Sequence, residues 1–423
     1  MKKAILSISH TNYMLRSAGT ERYIRELSKL FQESQYTYVN VFSFYDDKKM
    51  LREKMLGLNI NDQFKGIYKY RDMDKVVDML NWRYGLTITA IHIQHLINHD
   101  LDSIKDIINS LRVPVFYFMH DYFNICIRQN LIDSSDTFCG TGAPSNEKCQ
   151  SCAYMKQGIQ HHSQMQSFFG SINEYLTRVV CPSEYVAKVF IENYPQYRER
   201  VTVRPHLNYA LKDTVPEISG KIRIAYAGGQ NLIKGYPAWT ELVNACKACD
   251  QYEFYYFGTG KDQLDGVRNV FVSTAAQGDD AMKNALGEHK IDCAFLWPSW
   301  PETYSYVLYE LMENDIFVIT NNISGNIYDV VSNHENGKCF SELAEVKDWM
   351  SNPDQVRAEI NQYRTKNSFH IKDVTGNREI QSISPDGAME CIGKKQNSKR
   401  QKAGIDPLMT LIYIAKYKRE LDK

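Results

Sequence analysis

The chain has 423 residues, of which 43% are hydrophobic and 24% are charged, as in ordinary globular proteins. Its 50 basic and 50 acidic residues give a formal net charge of +0, so nucleic acid is not expected as a partner. This length exceeds what one hydrophobic core organises, which predicts two domains. The chain begins unlike a signal peptide, and no run reaches the ~18 apolar residues of a spanning helix, so we expect a cytoplasmic protein.

The first half alternates between strand and helix patterns. Apolar runs predict strands at residues 4–9, 38–44, 90–93, 113–119 and 179–183. Helical periodicity predicts helices after the first strand and at residues 73–80, 101–111 and 184–194. The first strand leads into a small-residue turn with Gly19, which lacks a Cβ and lets the backbone approach a phosphate or sugar. This order predicts a doubly wound α/β domain.

Two groups of polar side chains follow strands in this half. His120 comes directly after the strand at 113–119, so its imidazole is expected to face a cleft at the carboxyl edge of the sheet. His92 and His95 flank the end of an earlier strand and are expected to line the cleft or satisfy a loop. A zinc site from His92, His95 and His120 is an alternative, although no spacing specifies it.

Four cysteines mark a loop over residues 126–152: Cys126, Cys139, Cys149 and Cys152. The last two form a Cys-x-x-Cys pair, and the loop between them and Cys126 is rich in glycine and polar residues. Without an export signal, the ten cysteines of the chain are expected to be reduced. A zinc ion bound by four thiolates would fold this loop, whereas free cysteines in an insertion are the alternative.

The second half repeats the alternation. Apolar runs predict strands at residues 222–227, 254–258, 270–272, 291–297 and 315–320. The first of these strands is followed by a glycine-rich turn with Gly228 and Gly229, which enters a helix after Lys234. A helix N-terminus does not attract cations, so Lys234 indicates a ligand phosphate, with an ordinary exposed lysine as the alternative.

The strand predicted at 291–297 is followed by the stretch from Pro301 to Glu310. This stretch is predicted to form a sharp loop and then the start of a helix. The free backbone N–H groups of such a helix N-terminus suit a diphosphate. Glu302 lies on the loop, where it can reach sugar hydroxyls, and Glu310 could accept paired hydrogen bonds from a ribose diol. Two surface glutamates on an ordinary helix are the alternative.

With seven residues between them, Glu302 and Glu310 resemble the E-x7-E element of retaining glycosyltransferases of the GT-B fold. These are the group 1 or family 4 enzymes, which use nucleotide-sugar donors. Lys234-Gly235 is similar to the Lys-Gly pair of that family, and His120-Asp121 followed by cysteines is similar to its bacterial polysaccharide-assembly members. The resemblance implies an α/β GT-B architecture, in which two Rossmann-like domains face each other across a cleft.

The resemblance also implies roles for residues. Donor-binding residues would be Gly19, Gly228, Gly229, Lys234, Tyr304, Ser305, Tyr306 and Glu310. Lys234 and the amides around Ser305 would bind the donor phosphates, and Glu310 would bind the ribose. Glu302 would bind donor-sugar hydroxyls, while His120 would position the sugar or stabilise an oxyanion. No cofactor is implied for catalysis.

One position departs from the family pattern. Many relatives have an arginine five residues before the lysine, where this chain has Gly229. One phosphate contact is therefore unassigned, and Arg223 is a candidate to replace it.

The expected organisation is an acceptor domain at 1–205, a linker at 206–220, a donor domain at 221–405 and a helix at 406–423 that packs back on the first domain. Residues 372–403 are polar and include Lys394, Lys395, Lys399, Arg400 and Lys402. A solvated loop is expected there, with attraction to an anionic membrane as the alternative.

The function implied is transfer of a sugar, with retention, from a nucleotide-sugar donor to a glycan or polyprenyl-diphosphate-linked acceptor in cell-surface polysaccharide synthesis. The inner face of the cytoplasmic membrane is then a candidate location. Two alternatives remain: a catalytically silent GT-B subunit that binds a nucleotide sugar, suggested by Gly229, and a GT-B nucleotide-sugar epimerase.

Overall fold

A computed structural model describes residues 1–16, 18–44, 54–385 and 403–421. None of the helices in these ranges is long and apolar enough to cross a lipid bilayer. The predicted basic cluster at 394–402 lies outside the described residues.

The first half of the described chain forms a sheet of eight strands with helices around it. The strands are β1 (Lys2–Ser9), β2 (Thr37–Phe44), β3 (Met55–Ile60), β4 (Gln63–Lys69), β5 (Leu86–Ile93), β6 (Val115–Phe118), β7 (Leu176–Cys181) and β8 (Val201–Val203). The helices are α1 (Gly19–Glu33), α2 (Met73–Tyr84), α3 (Leu101–Leu111), α4 (Met155–Ser171) and α5 (Glu184–Asn193).

The order of this sheet is β4-β3-β2-β1-β5-β6-β7-β8. The six neighbouring strands β2, β1, β5, β6, β7 and β8 run parallel. The strands β3 and β4 add an antiparallel hairpin at one edge, which the sequence analysis did not predict. In β1, Leu6 and Ile8 pack in one core and Ile5 packs in another on the opposite face. Both faces are therefore covered, as in a doubly wound domain.

The second half forms a six-stranded parallel sheet and a two-stranded sheet. Its strands are β9 (Leu207–Lys212), β10 (Ile222–Ala227), β11 (Tyr252–Gly258), β12 (Val267–Phe271), β13 (Cys293–Leu296), β14 (Phe317–Asn321), β15 (Gly337–Phe340) and β16 (His370–Gly376). Its helices are α6 (Tyr236–Cys246), α7 (Thr274–Gln277), α8 (Ala281–Glu288), α9 (Tyr306–Glu313), α10 (Asn326–His334), α11 (Leu343–Met350), α12 (Pro353–Lys366) and α13 (Pro407–Leu421).

The six-stranded sheet has the order β12-β11-β10-β13-β14-β15. In β10, Ile224 and Tyr226 pack on one face while Ala225 and Ala227 pack on the other, so this sheet is also covered on both sides. The α/β prediction with two Rossmann-like sheets is confirmed.

Two segments differ from the expected loops. The predicted linker at 206–220 contains β9, and the predicted polar region from 372 begins inside β16, which pairs antiparallel with β9. Most residues of β9 are exposed, so its sequence carries no alternating apolar signal for a strand. Backbone pairing with a segment about 160 positions away in the sequence determines its structure.

The last helix contacts the first sheet. Tyr413 of α13 is buried, with its ring 4.8 Å from that of Phe64, and its hydroxyl accepts a hydrogen bond from Asn12 Nδ2 at 3.1 Å. The hydroxyl of Thr410 accepts a hydrogen bond from the Ile67 amide at 2.9 Å. The end of the described chain is thereby held against β4.

Candidate active site

The second sheet has its topological switch point between β10 and β13, because the chain leaves β10 toward β11 and leaves β13 toward β14 on the opposite side. Open α/β sheets bind ligands in the crevice beyond the carboxyl ends of the strands at such a point. The loop after β10 carries Lys234, and the loop after β13 carries Glu302. Both predicted residues therefore flank one crevice.

The loop after β10 approaches the loop after β13 closely at Gly235. This residue has φ 82°, and a Cβ there would lie 1.8 Å from the carbonyl oxygen of Trp297. The carbonyl of Lys234 accepts a hydrogen bond from the Tyr226 hydroxyl, and its amide donates to Asn231 Oδ1 at 3.0 Å. Only glycine satisfies both the backbone angle and the contact, so Gly235 brings Lys234 beside the second loop.

Lys234 and Glu302 form an ion pair, with 2.5 Å between Nζ and Oε1. The Glu302 side chain is 7% exposed and that of Lys234 is 46% exposed. The backbone of Glu302 is anchored by the loop before α10, because its amide donates to the Ser324 carbonyl and its carbonyl accepts from the Asn326 amide. The carboxylate is thus rigidly placed, whereas the lysine can turn toward a ligand.

Helix α9 begins beside this pair. The hydroxyl of Ser305 caps it by accepting a hydrogen bond from the Leu308 amide at 3.3 Å, and the first-turn amides of a helix have no intrahelical acceptor. Tyr304 is buried, with its hydroxyl accepting from the Leu207 amide at 3.2 Å. A Cβ on Gly19 would lie 3.7 Å from the Tyr306 ring, so the start of α1 faces the start of α9.

Glu310 lies one turn further along α9 and contacts the first half of the chain. Its Oε1 is 3.3 Å from Nη1 of Arg22 on α1, and its side chain is 12% exposed. Burial raises the pKa of Glu310 from its ordinary value of 4.5 to about 7, although the Arg22 guanidinium acts in the opposite direction. The carboxyl group is therefore poised to change its charge near neutral pH.

His120 follows β6 and is hydrogen-bonded to the Glu302 loop. Its backbone carbonyl accepts a hydrogen bond from Thr303 Oγ1 at 2.7 Å. Its Nε2 donates to Gln94 Oε1 at 2.8 Å, which leaves Nδ1 as an acceptor nitrogen. Burial lowers the pKa of His120 to about 3, so the ring is neutral at pH 7. A neutral ring with its N–H engaged is suited to accept from a sugar hydroxyl rather than to stabilise an oxyanion.

Solved structures share this architecture. Sucrose-phosphate synthase from Thermosynechococcus elongatus superposes with a TM-score of 0.52 at 12% identity, over 86% of this chain and 93% of that one. A glycosyltransferase from Rickettsia africae superposes with a TM-score of 0.51 at 14% identity, over 86% and 94%. The chain has the GT-B fold. No family model and no curated protein sequence matches it.

The GT-B fold brings most of the sequence-predicted residues to one cleft, but it separates Arg223 from them. Arg223 lies near the amino end of β10, where it donates to the Lys290 carbonyl, at the opposite edge of the sheet from Lys234. It cannot replace a phosphate contact at the loop after β10. Gly228 and Gly229 do lie in that loop, where a Cβ on Gly229 would lie 2.6 Å from Asn231 Nδ2.

Arg22 was missed in the sequence, although a basic residue in the first turn of a helix, against the helix dipole, was an available signal. His95 was expected to line the cleft or satisfy a loop, and its Nε2 lies 2.8 Å from Asp121 Oδ2. Since His95 Nδ1 also accepts from the Ile97 amide, both of its nitrogens are engaged in holding these loops.

The alternative zinc site would need three side chains that converge on one metal ion. Within the described ranges, no three His, Cys, Asp or Glu side chains are arranged to hold a metal ion. His92 is buried and bonds through Nε2 to the Ile383 carbonyl, so the alternative set of His92, His95 and His120 is not supported.

The four loop cysteines are free thiols that line one cavity of about 30 Å³. The amide of Cys152 donates to the Cys149 carbonyl, which forms a tight turn at the Cys-x-x-Cys pair. Burial raises the pKa of Cys126 and of Cys139, so both are protonated at pH 7 without a cation. The zinc site stays a prediction. To bind there, zinc would have to displace the protons of these thiols and draw their sulfur atoms closer together.

If zinc binds this loop, protein purified under reducing conditions should contain about one zinc per chain by elemental analysis. A Cys149→Ser/Cys152→Ser variant should lose the metal, whereas Cys246→Ser, at a buried position in the second half, should retain it. Zinc-free protein with four freely alkylated loop thiols would instead establish ordinary cysteines.

The buried carboxyl of Glu310 predicts a pH-dependent stability. Between about pH 4.5 and 7 the folded chain keeps a proton that the unfolded chain releases, so this group makes stability fall as pH rises through that window. Glu310→Gln should remove this contribution, which is on the order of 2 kcal/mol. Urea unfolding at pH 5 and pH 8 measures it, with exposed Glu288→Gln as the control. Identical pH dependence in wild type and Glu310→Gln would contradict the prediction.

Proposed function

We propose that this protein is a retaining glycosyltransferase that moves a sugar from a nucleotide-sugar donor to a glycan or lipid-linked saccharide in cell-surface polysaccharide synthesis. The observation that carries the proposal is the Lys234–Glu302 ion pair at the switch point of the second sheet, beside the N-terminus of α9. A rigid carboxylate, a mobile cation and free helix amides at one crevice suit sugar hydroxyls and a departing diphosphate.

Each group has a task in this reaction. As the bond between the anomeric carbon and the phosphate oxygen breaks, negative charge grows on the nucleoside diphosphate. The Lys234 ammonium and the α9 amides stabilise that charge without a metal ion. Glu302 accepts hydrogen bonds from sugar hydroxyls, and Glu310 accepts them from the ribose diol. The acceptor oxygen bonds to the anomeric carbon on the same face, and its proton passes to the leaving phosphate oxygen.

His120 acts as a positioning group on the side of the first domain. Its neutral Nδ1 can accept a hydrogen bond from a donor-sugar hydroxyl, because Gln94 holds the Nε2 proton. The Thr303 hydrogen bond to the His120 carbonyl keeps the histidine next to the Glu302 loop. The sugar would then be bound from both domains.

The donor assignment is tested with a panel of nucleotide sugars, with and without saccharide acceptors. Lys234→Ala and Glu310→Ala should each reduce donor affinity or turnover by about 2–4 kcal/mol, because each removes a charged partner in a desolvated cleft. Calorimetry measures the affinity, and mass spectrometry measures the product. Lys247→Ala and Glu288→Ala are matched controls on the surface of the same domain. Unchanged affinity in both site variants would remove the assignment.

The same panel separates the alternatives. A transferase forms product only with an acceptor, an epimerase converts the nucleotide sugar without one, and a silent subunit binds the nucleotide sugar without forming product.

For the acceptor, we propose a saccharide on a polyprenyl diphosphate at the inner face of the cytoplasmic membrane. Support comes from α13, on which Leu408 and Leu411 are 66% and 65% exposed and Ile412 is 47% exposed. In the sequence, the segment at 394–402 directly before this helix has five basic residues and no acidic ones. Exposed apolar side chains on a helix that follows a basic segment in the sequence are typical of peripheral contact with anionic lipid.

Co-sedimentation with phosphatidylglycerol vesicles tests this contact. Wild-type protein should sediment at low salt and lose binding as salt rises, because each basic residue contributes about 1 kcal/mol near an anionic surface. Neutralising Lys394, Lys395, Lys399, Arg400 and Lys402 should abolish sedimentation, whereas neutralising Lys2 and Lys3, at the start of the chain, should not. If wild type does not sediment at any salt, a soluble glycan becomes the better acceptor.

A further inference from the structure

Arg22 contacts the donor domain from the acceptor domain. It lies in the first turn of α1, and its side chain is 17% exposed. Its Nε is 3.2 Å from Glu26 Oε1 on the same helix, while its Nη1 reaches Glu310 on α9 at 3.3 Å. Its Cζ lies 4.3 Å from the centre of the Tyr306 ring. Glu26 and Tyr306 therefore hold the guanidinium, while Glu310 occupies one terminal nitrogen.

The two carboxylates, Glu302 and Glu310, are each paired with a cation. Glu302 holds Lys234, and Glu310 holds Arg22. When donor hydroxyls bind these carboxylates, both cations lose partners at the same time. The cation freed from Glu302 is the one already assigned to the diphosphate. The cation freed from Glu310 lies against Tyr306, the first residue of α9.

A diphosphate carries more negative charge than the single ammonium of Lys234 neutralises. The loop from Gly228 to Gly235 contains Lys234 as its single basic residue, and Arg223 lies at the opposite edge of the sheet. A guanidinium presents parallel N–H groups that match two phosphate oxygens, which an ammonium cannot do. Arg22 carries such a guanidinium, and it lies beside Tyr306 at the N-terminal end of α9.

We propose that Arg22 of the acceptor domain binds the diphosphate of the donor together with Lys234. This inference rests on the proposed function and adds a residue to it. With Arg22, each domain contributes one cation to the phosphate site. A bound diphosphate therefore holds the cleft closed. It also makes the site selective for a nucleoside diphosphate over a monophosphate, because only the diphosphate offers oxygens to both cations.

The first experiment measures binding by calorimetry with the uridine, guanosine, adenosine and thymidine diphosphates, and with the monophosphate of the base that binds best. Arg22→Ala should weaken diphosphate binding about 10- to 100-fold and monophosphate binding less than about 3-fold, as expected for a lost charged hydrogen bond. Arg22→Lys should weaken diphosphate binding by an intermediate amount, since lysine keeps the positive charge but lacks the paired N–H groups of a guanidinium. Lys29→Ala, an exposed position on α1, should match wild type.

A second experiment separates phosphate binding from support of Glu310. If Arg22 binds phosphate, Arg22→Ala should still weaken diphosphate binding about 10-fold or more when it is added to Glu310→Ala. If Arg22 only orients Glu310, the added substitution should have no effect, and the proposal is overturned. Tighter binding in Arg22→Ala would also overturn it, because Arg22 would then compete with the donor.

The outcomes distinguish this inference from the proposed function. If wild-type protein binds none of the four diphosphates, the proposed function fails and the inference fails with it. If wild type binds one of them and folded Arg22→Ala protein, checked by thermal unfolding, binds it equally well, only the inference fails.

Discussion

The contact of Thr303 with the first domain is the constraint on which the cleft depends. Its carbonyl accepts a hydrogen bond from Ser183 Oγ at 3.0 Å, and its hydroxyl donates to the His120 carbonyl at 2.7 Å. Ser183 is itself the N-cap of α5, so this contact links a helix end, a strand end and the Glu302 loop. The interaction is buried, where a lost partner costs about 1–3 kcal/mol, and it sets the distance between the two halves of the site.

Burial shifts the pKa values of two residues of the cleft, His120 and Glu310. It keeps His120 neutral at pH 7 and raises the pKa of Glu310 to about 7. The ion pairs Lys234–Glu302 and Arg22–Glu310 compensate buried charge. In the proposed reaction, a nucleotide sugar would offer hydroxyls to these carboxylates and phosphates to these cations.

Much of the fold could be predicted from sequence, because strands covered on both faces appear as apolar runs. The strands at β1, β10 and β14 were located in this way, and their alternation with helices predicted the two Rossmann-like sheets. The exposed strand β9 was predicted as linker, and the β3–β4 hairpin was not recognised at all. These segments depend on partners distant in the sequence, or lie at a sheet edge, where local periodicity is weak.

The sequence by itself located Lys234 and Glu302 on loops that follow strands, and Glu310 on the helix behind the second loop, because local patterns reveal those elements. Loops after strands of one parallel sheet meet at one edge, so their proximity followed from topology. Only the tertiary structure decided that Glu310 pairs with Arg22, which precedes it by 288 positions, and that Arg223 lies at the wrong edge. Contacts between domains depend on how two sheets are docked, and no pattern local to either domain encodes that geometry.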